Sequence, residues 1–335
     1  TGAEGHTRDQ ISALFEPRAA RGRHFTEGMK YLTKEVGKSR ERGALLNANR
    51  IFVSKGLAES LSPAYTAAIK SNYAADGRLV DFSNTAEAAK GINDWVAEQT
   101  ARKITNLVSP GAFSANTKAV LVNAVYFNGR WNKAFDVAAT KPRPFHLDGG
   151  TTVEVPTMSG EITFREASVD GYTVYELPYR GGEYAMLIVM PPKGHTLQAL
   201  EADTTGADLT AWRKKLTTVN APMQLPKWNF LPSAASLKPA LQSLGMVAAF
   251  EESAKFTGIS GKPNNGLYLS DVIHAAAITV DEAGTEAAAA TAAVMGVKSL
   301  SLPPKPRMVD RPFLFAIVHQ ATSLPVFIGK VAKPE

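Results

Sequence analysis

The 335-residue sequence contains no cysteine. That absence removes three classes together: a disulfide-stapled scaffold, a thiolate metal site and an enzyme with a cysteine nucleophile. Histidine is scarce too. The six (His6, His24, His146, His195, His274, His319) never stand four apart, the spacing that sets two imidazoles on one helix face for zinc. No apolar run approaches the roughly 18 residues of a membrane span. The opening Thr1-Gly2-Ala3-Glu4-Gly5-His6 lacks the charged-then-apolar pattern of a secretory leader, so the compartment stays open. Gly-x-Ser-x-Gly, the Gly-x4-Gly-Lys phosphate loop and Gly-x-Gly-x-x-Gly are all missing. A Ser/His/Asp triad is geometric rather than sequential and is left open. Without a motif, the expectation is a protein that is not an enzyme and takes no cofactor.

What remains is the composition of a globular protein, 44% hydrophobic and 20% charged. No internal repeat and no Ser/Gly linker divides it, so one large domain over 1–335 is expected. Lysine and arginine outnumber the acidic residues 37 to 31, a net charge of +6. That balance favours polyanions on encounter without being a nucleic-acid-binding composition.

The first third reads mostly helical over 8–15, 26–36 and 57–72. The best-formed helix follows Phe82-Ser83-Asn84-Thr85, where capping residues precede an Ile92, Trp95, Val96 face. From Ala119 the texture changes. Ala119 to Phe127 is a β-branched apolar run suited to a strand covered on both faces. Segments 172–178 and 184–190 flank a glycine turn and read as a hairpin. Further strands are expected at 223–230, 276–280, 313–319 and 326–331. Strands dominate the second half without βαβ alternation, which makes the class α+β.

The least ordinary stretch is Asp281-Glu282-Ala283-Gly284-Thr285-Glu286, followed by Ala287, Ala288, Ala289, Ala290 and Thr291. Propensity alone makes an alanine run a helix. Yet it follows a strand-like segment and contains Gly284. Read with period two, Thr285, Ala287, Ala289, Thr291 and Ala293 share a face, and every one is small. Such a strand could slide between existing strands, where each bulky residue would cost roughly 1–3 kcal/mol of overpacking.

Here the sequence resembles the serpin family. Glu282-x-Gly284-Thr285-Glu286 with its alanines is similar to the hinge of an inhibitory reactive-centre loop. Asn123-Ala-Val-Tyr-Phe-Asn-Gly-Arg-Trp131, Val155-Pro-Thr-Met158, Glu176-Leu-Pro-Tyr179, Leu225-Pro-Lys-Trp228, Asp310-Arg-Pro-Phe-Leu-Phe315 and Val326-Phe-Ile-Gly-Lys-Val331 follow in the family's order.

The resemblance implies three β-sheets and about nine helices, with an exposed loop over 282–304 as bait for a serine protease of the chymotrypsin or subtilisin type. The protease would form an acyl-enzyme, and the cleaved loop would insert into the central sheet before hydrolysis. Counting from Thr285 sets the cut at Lys298–Ser299; counting back from Pro303-Pro304 and Pro312-Phe313 sets it at Leu300–Ser301. Strand length favours Lys298. By resemblance Asn123 and His274 belong to a polar shutter under the sheet, Trp131 to the breach where insertion begins, and Glu282 is the pivot of the hinge (282–291).

Eight basic residues over 18–42 (Arg18, Arg21, Arg23, Lys30, Lys34, Lys38, Arg40, Arg42) fall near a helix that binds heparin-like polyanions in some serpins. A solvated helix face explains them more simply. The family pattern begins with two helices and a strand absent here, so an N-terminal truncation is expected. The alanine- and arginine-rich composition leans towards a bacterial source. A monomer is expected, without nucleic-acid or membrane partners. A non-inhibitory serpin, a binder or chaperone, is the alternative.

Overall fold

A computed structural model describes residues 2–15, 23–41, 44–57, 61–230, 234–262, 266–285 and 305–334. In chain order its elements begin with α1 (Gly5–Phe15), α2 (Arg23–Glu41), β1 (Leu45–Ser54), α3 (Pro63–Tyr73), β2 (Asp76–Val80), α4 (Thr85–Gln99) and β3 (Ala119–Phe127). There follow β4 (Gly129–Arg130), β5 (Asp136–His146), β6 (Thr152–Val169), β7 (Tyr172–Pro178), β8 (Tyr184–Met190), α5 (Leu197–Asp203), α6 (Gly206–Lys215), β9 (Thr217–Pro226) and β10 (Trp228–Phe230). The last are β11 (Ala235–Ser236), α7 (Lys238–Ser243), α8 (Thr257–Ser260), β12 (Leu269–Val280), β13 (Gly284–Thr285), β14 (Arg307–Met308), β15 (Phe313–His319) and β16 (Leu324–Val331). Among the described residues the strands form three sheets, of six, two and eight members, alongside eight α-helices. The α+β class and the three sheets are as expected.

The chain folds as two compact units, one of residues 1–126 and 231–277, the other of 127–230 and 278–335. In the first unit the sheet order is β12-β3-β1-β2, with β12 parallel to β3 and β1 parallel to β2. The two sequence-adjacent strands expected least are β1 and β2, in the region read as helical. Ile51-Phe52-Val53 are β-formers, and burial alternates between faces there, a tertiary decision that helical texture nearby obscured. The helix expected from 57 begins instead at Pro63, which has no N–H to give. Ser62 caps it by accepting from the Tyr65 amide at 3.1 Å.

α4 forms where expected. The Asn84 side chain accepts from the Glu87 amide, and Ile92, Trp95 and Val96 bury against Phe52, Val120, Val122, Ala124, Ala275 and Ala277. The opposite side of β1 and β3 packs Ile51, Val53 and Ala119 with Tyr65 and Ile69 of α3.

In the second unit the strand order is β14-β9-β6-β7-β8-β15-β16, with β5 also on β6. The β7–β8 hairpin turns through Gly181 and Gly182, both at positive φ. β6 is 18 residues long, a strand that the sequence reading lacks. Its polar, alternating sequence is sustained by partners along its length, β5 on its first half, β7 on its end and β9 throughout the middle. The last three residues of β12 pair with β10.

Candidate hinge and shutter sites

The described part of the expected hinge, residues 282–285, lies in the second unit. After Val280 the chain reverses in a tight turn: the Asp281 amide donates to the Gly284 carbonyl at 2.8 Å, and the Asp281 carboxylate accepts from the amides of Ala283 and Gly284. Gly284 has φ +147°, and a Cβ there would sit 2.1 Å from the Gly129 carbonyl oxygen and 2.6 Å from Arg130 Cα. No other residue fits. The reversal lays Gly284 and Thr285 antiparallel against Arg130 and Gly129.

Trp131 and its neighbour in sequence, Phe135, hold the turn from one side. The Trp131 indole Nε1 donates to the Asp281 carbonyl (2.9 Å), its amide to the Ala283 carbonyl (3.0 Å), and the Phe135 amide to the Glu282 carbonyl (2.8 Å). Three successive carbonyls of the turn are thereby satisfied. The indole lies flat on Tyr179, centroids 4.6 Å apart and planes 7° from parallel. The Tyr179 hydroxyl meets the Thr285 hydroxyl at 2.8 Å, and both residues are buried. Burial pushes the Tyr179 hydroxyl far above its usual pKa, so it remains a neutral hydrogen-bonding group.

Glu282 is 7% exposed. Its carboxylate accepts from Lys227 Nζ (2.9 and 3.1 Å) and from the Thr140 hydroxyl (2.6 Å). Burial raises its pKa, but the hydrogen bonds from Lys227 and Thr140, with the charge of Lys227, outweigh burial and leave it below the usual carboxylate value.

The two residues expected to form a shutter, Asn123 and His274, lie in the first unit. His274 on β12 stands directly opposite Asn123 on β3, and His274 Nδ1 is 2.7 Å from Asn123 Oδ1. The Asn123 amide nitrogen donates to Asn47 Oδ1 (2.9 Å) and Asn49 Oδ1 (2.5 Å) on β1. With both amide protons so engaged, the Asn123 oxygen accepts, and His274 carries its proton on Nδ1. Burial lowers the His274 pKa, which keeps the ring neutral.

Glu282, Gly284, Thr285 and Trp131 are thus brought together, as are Asn123 and His274. Glu286, Ala287, Ala288, Ala289, Ala290 and Thr291, with both candidate bonds at Lys298–Ser299 and Leu300–Ser301, lie outside the described residues. Sequence reasoning gave no role to Lys227, Thr140, Tyr179, Asn47 or Asn49. The alternation Asn47-Ala48-Asn49 ahead of Ile51-Phe52-Val53 was the available signal for the last two.

The family model for "Serpin (serine protease inhibitor)" matches residues 1–334. The chain is a serpin. It is 37% identical to leukocyte elastase inhibitor of Xenopus tropicalis and 36% identical to serpin B8 of Bos taurus, in each case over 99% of this chain and 88% of the relative. Among solved structures, native protease nexin-1 with heparin superposes with a TM-score of 0.84 at 30% identity, covering 99% of this serpin and 87% of that chain. The Manduca sexta serpin-12 structure gives 0.84 at 28% identity, covering 99% and 88%. The curated relatives and the moth serpin are animal proteins and lend the expected bacterial source no support. Among the described residues no cluster of metal-binding side chains occurs and no helix is long and apolar enough to cross a membrane.

Proposed function

We propose that this serpin, a single domain over 1–335, irreversibly inhibits serine proteases of the chymotrypsin or subtilisin type. The protease cuts the reactive-centre loop over 282–304 and forms an acyl-enzyme. The freed loop then enters the sheet as a new strand before the ester is hydrolysed. The observation that carries this reading is the parallel ladder between β3 and β12, from Ala119 opposite Leu269 to Tyr126 opposite Ala277. An antiparallel strand placed between them exchanges one parallel ladder for two antiparallel ones, a gain of about 1 kcal/mol for each net hydrogen bond.

The hinge supplies the direction and the register. Gly284 and Thr285 pair antiparallel with Arg130 and Gly129. Carried on residue for residue along β3, that ladder sets Ala287 opposite Phe127, Ala289 opposite Val125, Thr291 opposite Asn123 and Ala293 opposite Leu121. Ala288, Ala290 and Ala292 then fall opposite Tyr126, Ala124 and Val122, on the face that α4 covers. The alanines are what a covered face demands. The ladder ends at Ala119, opposite Met295. Lys298 lies three residues further and Leu300 five, so a cut after Leu300 adds about 7 Å of slack tether. The shorter tether supports Lys298–Ser299 and an enzyme with an acidic specificity pocket; Leu300–Ser301 is the alternative.

Thr291 opposite Asn123 also gives the shutter its role: the Asn123–His274 contact must part to admit the strand. Residue types favour inhibition over a non-inhibitory binding role, because no bulky or charged side chain occupies 287–290. We further propose a monomer that turns over no small ester and needs no cofactor, nucleic acid or membrane. The exposed row Lys30, Lys34 and Lys38 on α2 fits a polyanion, although Lys38 already pairs with Glu35 at 2.7 Å.

Incubation with trypsin and, separately, chymotrypsin, followed by denaturing gels, tests the reading. A covalent band with trypsin and cleavage after Lys298 is expected. A band with chymotrypsin alone would move the bond to Leu300, and clean cleavage by both without any band would overturn inhibition.

A further inference from the structure

On the α4 side of β1 the alternate residues are Ala48, Arg50 and Phe52. The outer two belong to the apolar cluster with Ile92, Trp95 and Val96. Between them stands a charge. The Arg50 side chain is 14% exposed. Its guanidinium carbon lies 4.3 Å from the Trp95 ring centroid and 5.7 Å from that of Phe52. Arg50 Nε and Nη2 donate to the two carboxylate oxygens of Asp76 on β2. One side chain therefore joins β1, β2 and α4.

α4 does not move alone. Asn93 Nδ2 donates to the Val108 carbonyl (2.8 Å) while Asn93 Oδ1 accepts from the Val108 amide (3.0 Å). The buried Thr100 hydroxyl donates to the Val96 carbonyl (2.8 Å) and accepts from the Ile104 amide (3.2 Å). The helix and the strap after it are one body. A second cation on that strap, Lys103, lies 6.0 Å from the Tyr126 ring on β3.

A strand entering between β3 and β12 sends every second side chain into the face this body covers. There Ile92, Trp95 and Val96 already pack on Val122, Ala124, Ala275 and Ala277. Close-packed interiors have no spare volume, so the body must lift. An apolar residue at position 50 would hold α4 down without desolvating a charge. What an Arg–Asp fork under an indole adds is orientation, together with contacts that water replaces when they open.

We propose that Arg50 is a positioning residue for strand insertion: it clamps α4 to β1 and β2, and opening of this clamp sets the rate at which the sheet admits the loop. The proposal rests on the insertion reading above. Insertion competes with hydrolysis of the acyl-enzyme, so the clamp also sets the fraction of cleavage events that end in a trapped protease.

The test compares the parent chain with Arg50→Gln, Arg50→Lys and Asp76→Asn, the last reaching the fork from its more exposed partner should Arg50→Gln not fold. Each protein is nicked within 295–302, and the time course of acquired heat resistance is followed, beside the moles of inhibitor consumed per trypsin and the melting temperature before nicking. Arg50→Gln is expected to shorten the half-time of insertion at least threefold, with Arg50→Lys between it and the parent, and to lower the consumption ratio. A lowered melting temperature with insertion within twofold of the parental rate marks a merely structural residue and overturns the clamp. A parent that gains no heat resistance on nicking overturns the insertion reading and this proposal with it. A parent that gains heat resistance, with the variants at its rate, overturns the clamp alone.

Discussion

Lys227 reaches both carboxylate oxygens of Glu282 across 55 residues of sequence, on the one side chain that stands where strand gives way to hinge. Glu282→Lys would place two ammonium groups together in a nearly buried site and remove the acceptor of the Thr140 hydroxyl. The expected result is a loss of about 1.5–3 kcal/mol for the charged hydrogen bonds, and a hinge that detaches or over-inserts. Denaturant unfolding measures the first, and loss of inhibitory activity on storage at 37 °C measures the second. A variant as stable and as long-lived as the parent contradicts the pivot role.

The same carboxylate gives an acid limb. Its pKa is lower folded than unfolded, so its stabilisation is complete above the ordinary carboxylate value near 4.5 and is lost as pH falls below that through the folded value. Between pH 5 and 3 the parent should lose stability more steeply than Glu282→Gln, a difference that urea midpoints across that range would reveal.

Thr285 is already buried and laddered to Gly129, and under the proposed mechanism it is where insertion starts. Thr285→Arg would drive a long cation against the Tyr179 hydroxyl and the Trp131–Tyr179 stack. It is expected to turn the inhibitor into a substrate: cleavage by trypsin continues, and the covalent band falls at least tenfold. Unchanged trapping would remove Thr285 from the hinge. Tyr179→Phe deletes one buried hydrogen bond and should cost about 1 kcal/mol while leaving trapping intact.

How far the sequence exposed all this depends on whether a signal was local. Gly284 stands out in the sequence as a break in an alanine-rich run, but the tight reversal it makes is set by Gly129 and Arg130, more than 150 residues away; the period-two run of small residues beyond Thr285 lies outside the described residues. α4 was legible through its capping Asn84 and its apolar face. By contrast, Leu45–Ser54 and Asp76–Val80 became strands only through each other and through β3. With them Asn47 and Asn49, which hold Asn123, went unassigned. Lys227 and Thr140 lie 55 and 142 residues from Glu282, and nothing along the chain announces a pair that the fold alone brings together.

The strap that follows α4 stores strain. Ala101 and Arg102 have φ of +50° and +61°, in the left-handed region that disfavours side chains bearing a Cβ. Arg102→Gly should stabilise the uncut protein by about 1 kcal/mol, read from its denaturant midpoint at unchanged m-value. A destabilised variant would mean that the Arg102 side chain contributes more than its backbone costs.

His274 supplies the near-neutral limb. Its ring is held neutral by burial, and it donates through Nδ1 to an Asn123 oxygen whose own amide is committed to Asn47 and Asn49. The folded pKa therefore lies below the unfolded value near 6.5. Above pH 6.5 both states are neutral and the contribution is complete. As pH falls below it the unfolded chain takes up its proton first, and stability declines until the folded value is reached. Under the proposed mechanism, opening of β3 from β12 would expose the ring in the same way, so acidification from pH 7.5 to 5.5 should hasten spontaneous loss of inhibitory activity. His274→Gln retains a donor towards Asn123 and has no proton to gain, so its rate should be flat across that range. A parental acceleration that survives in His274→Gln would place the titrating group elsewhere.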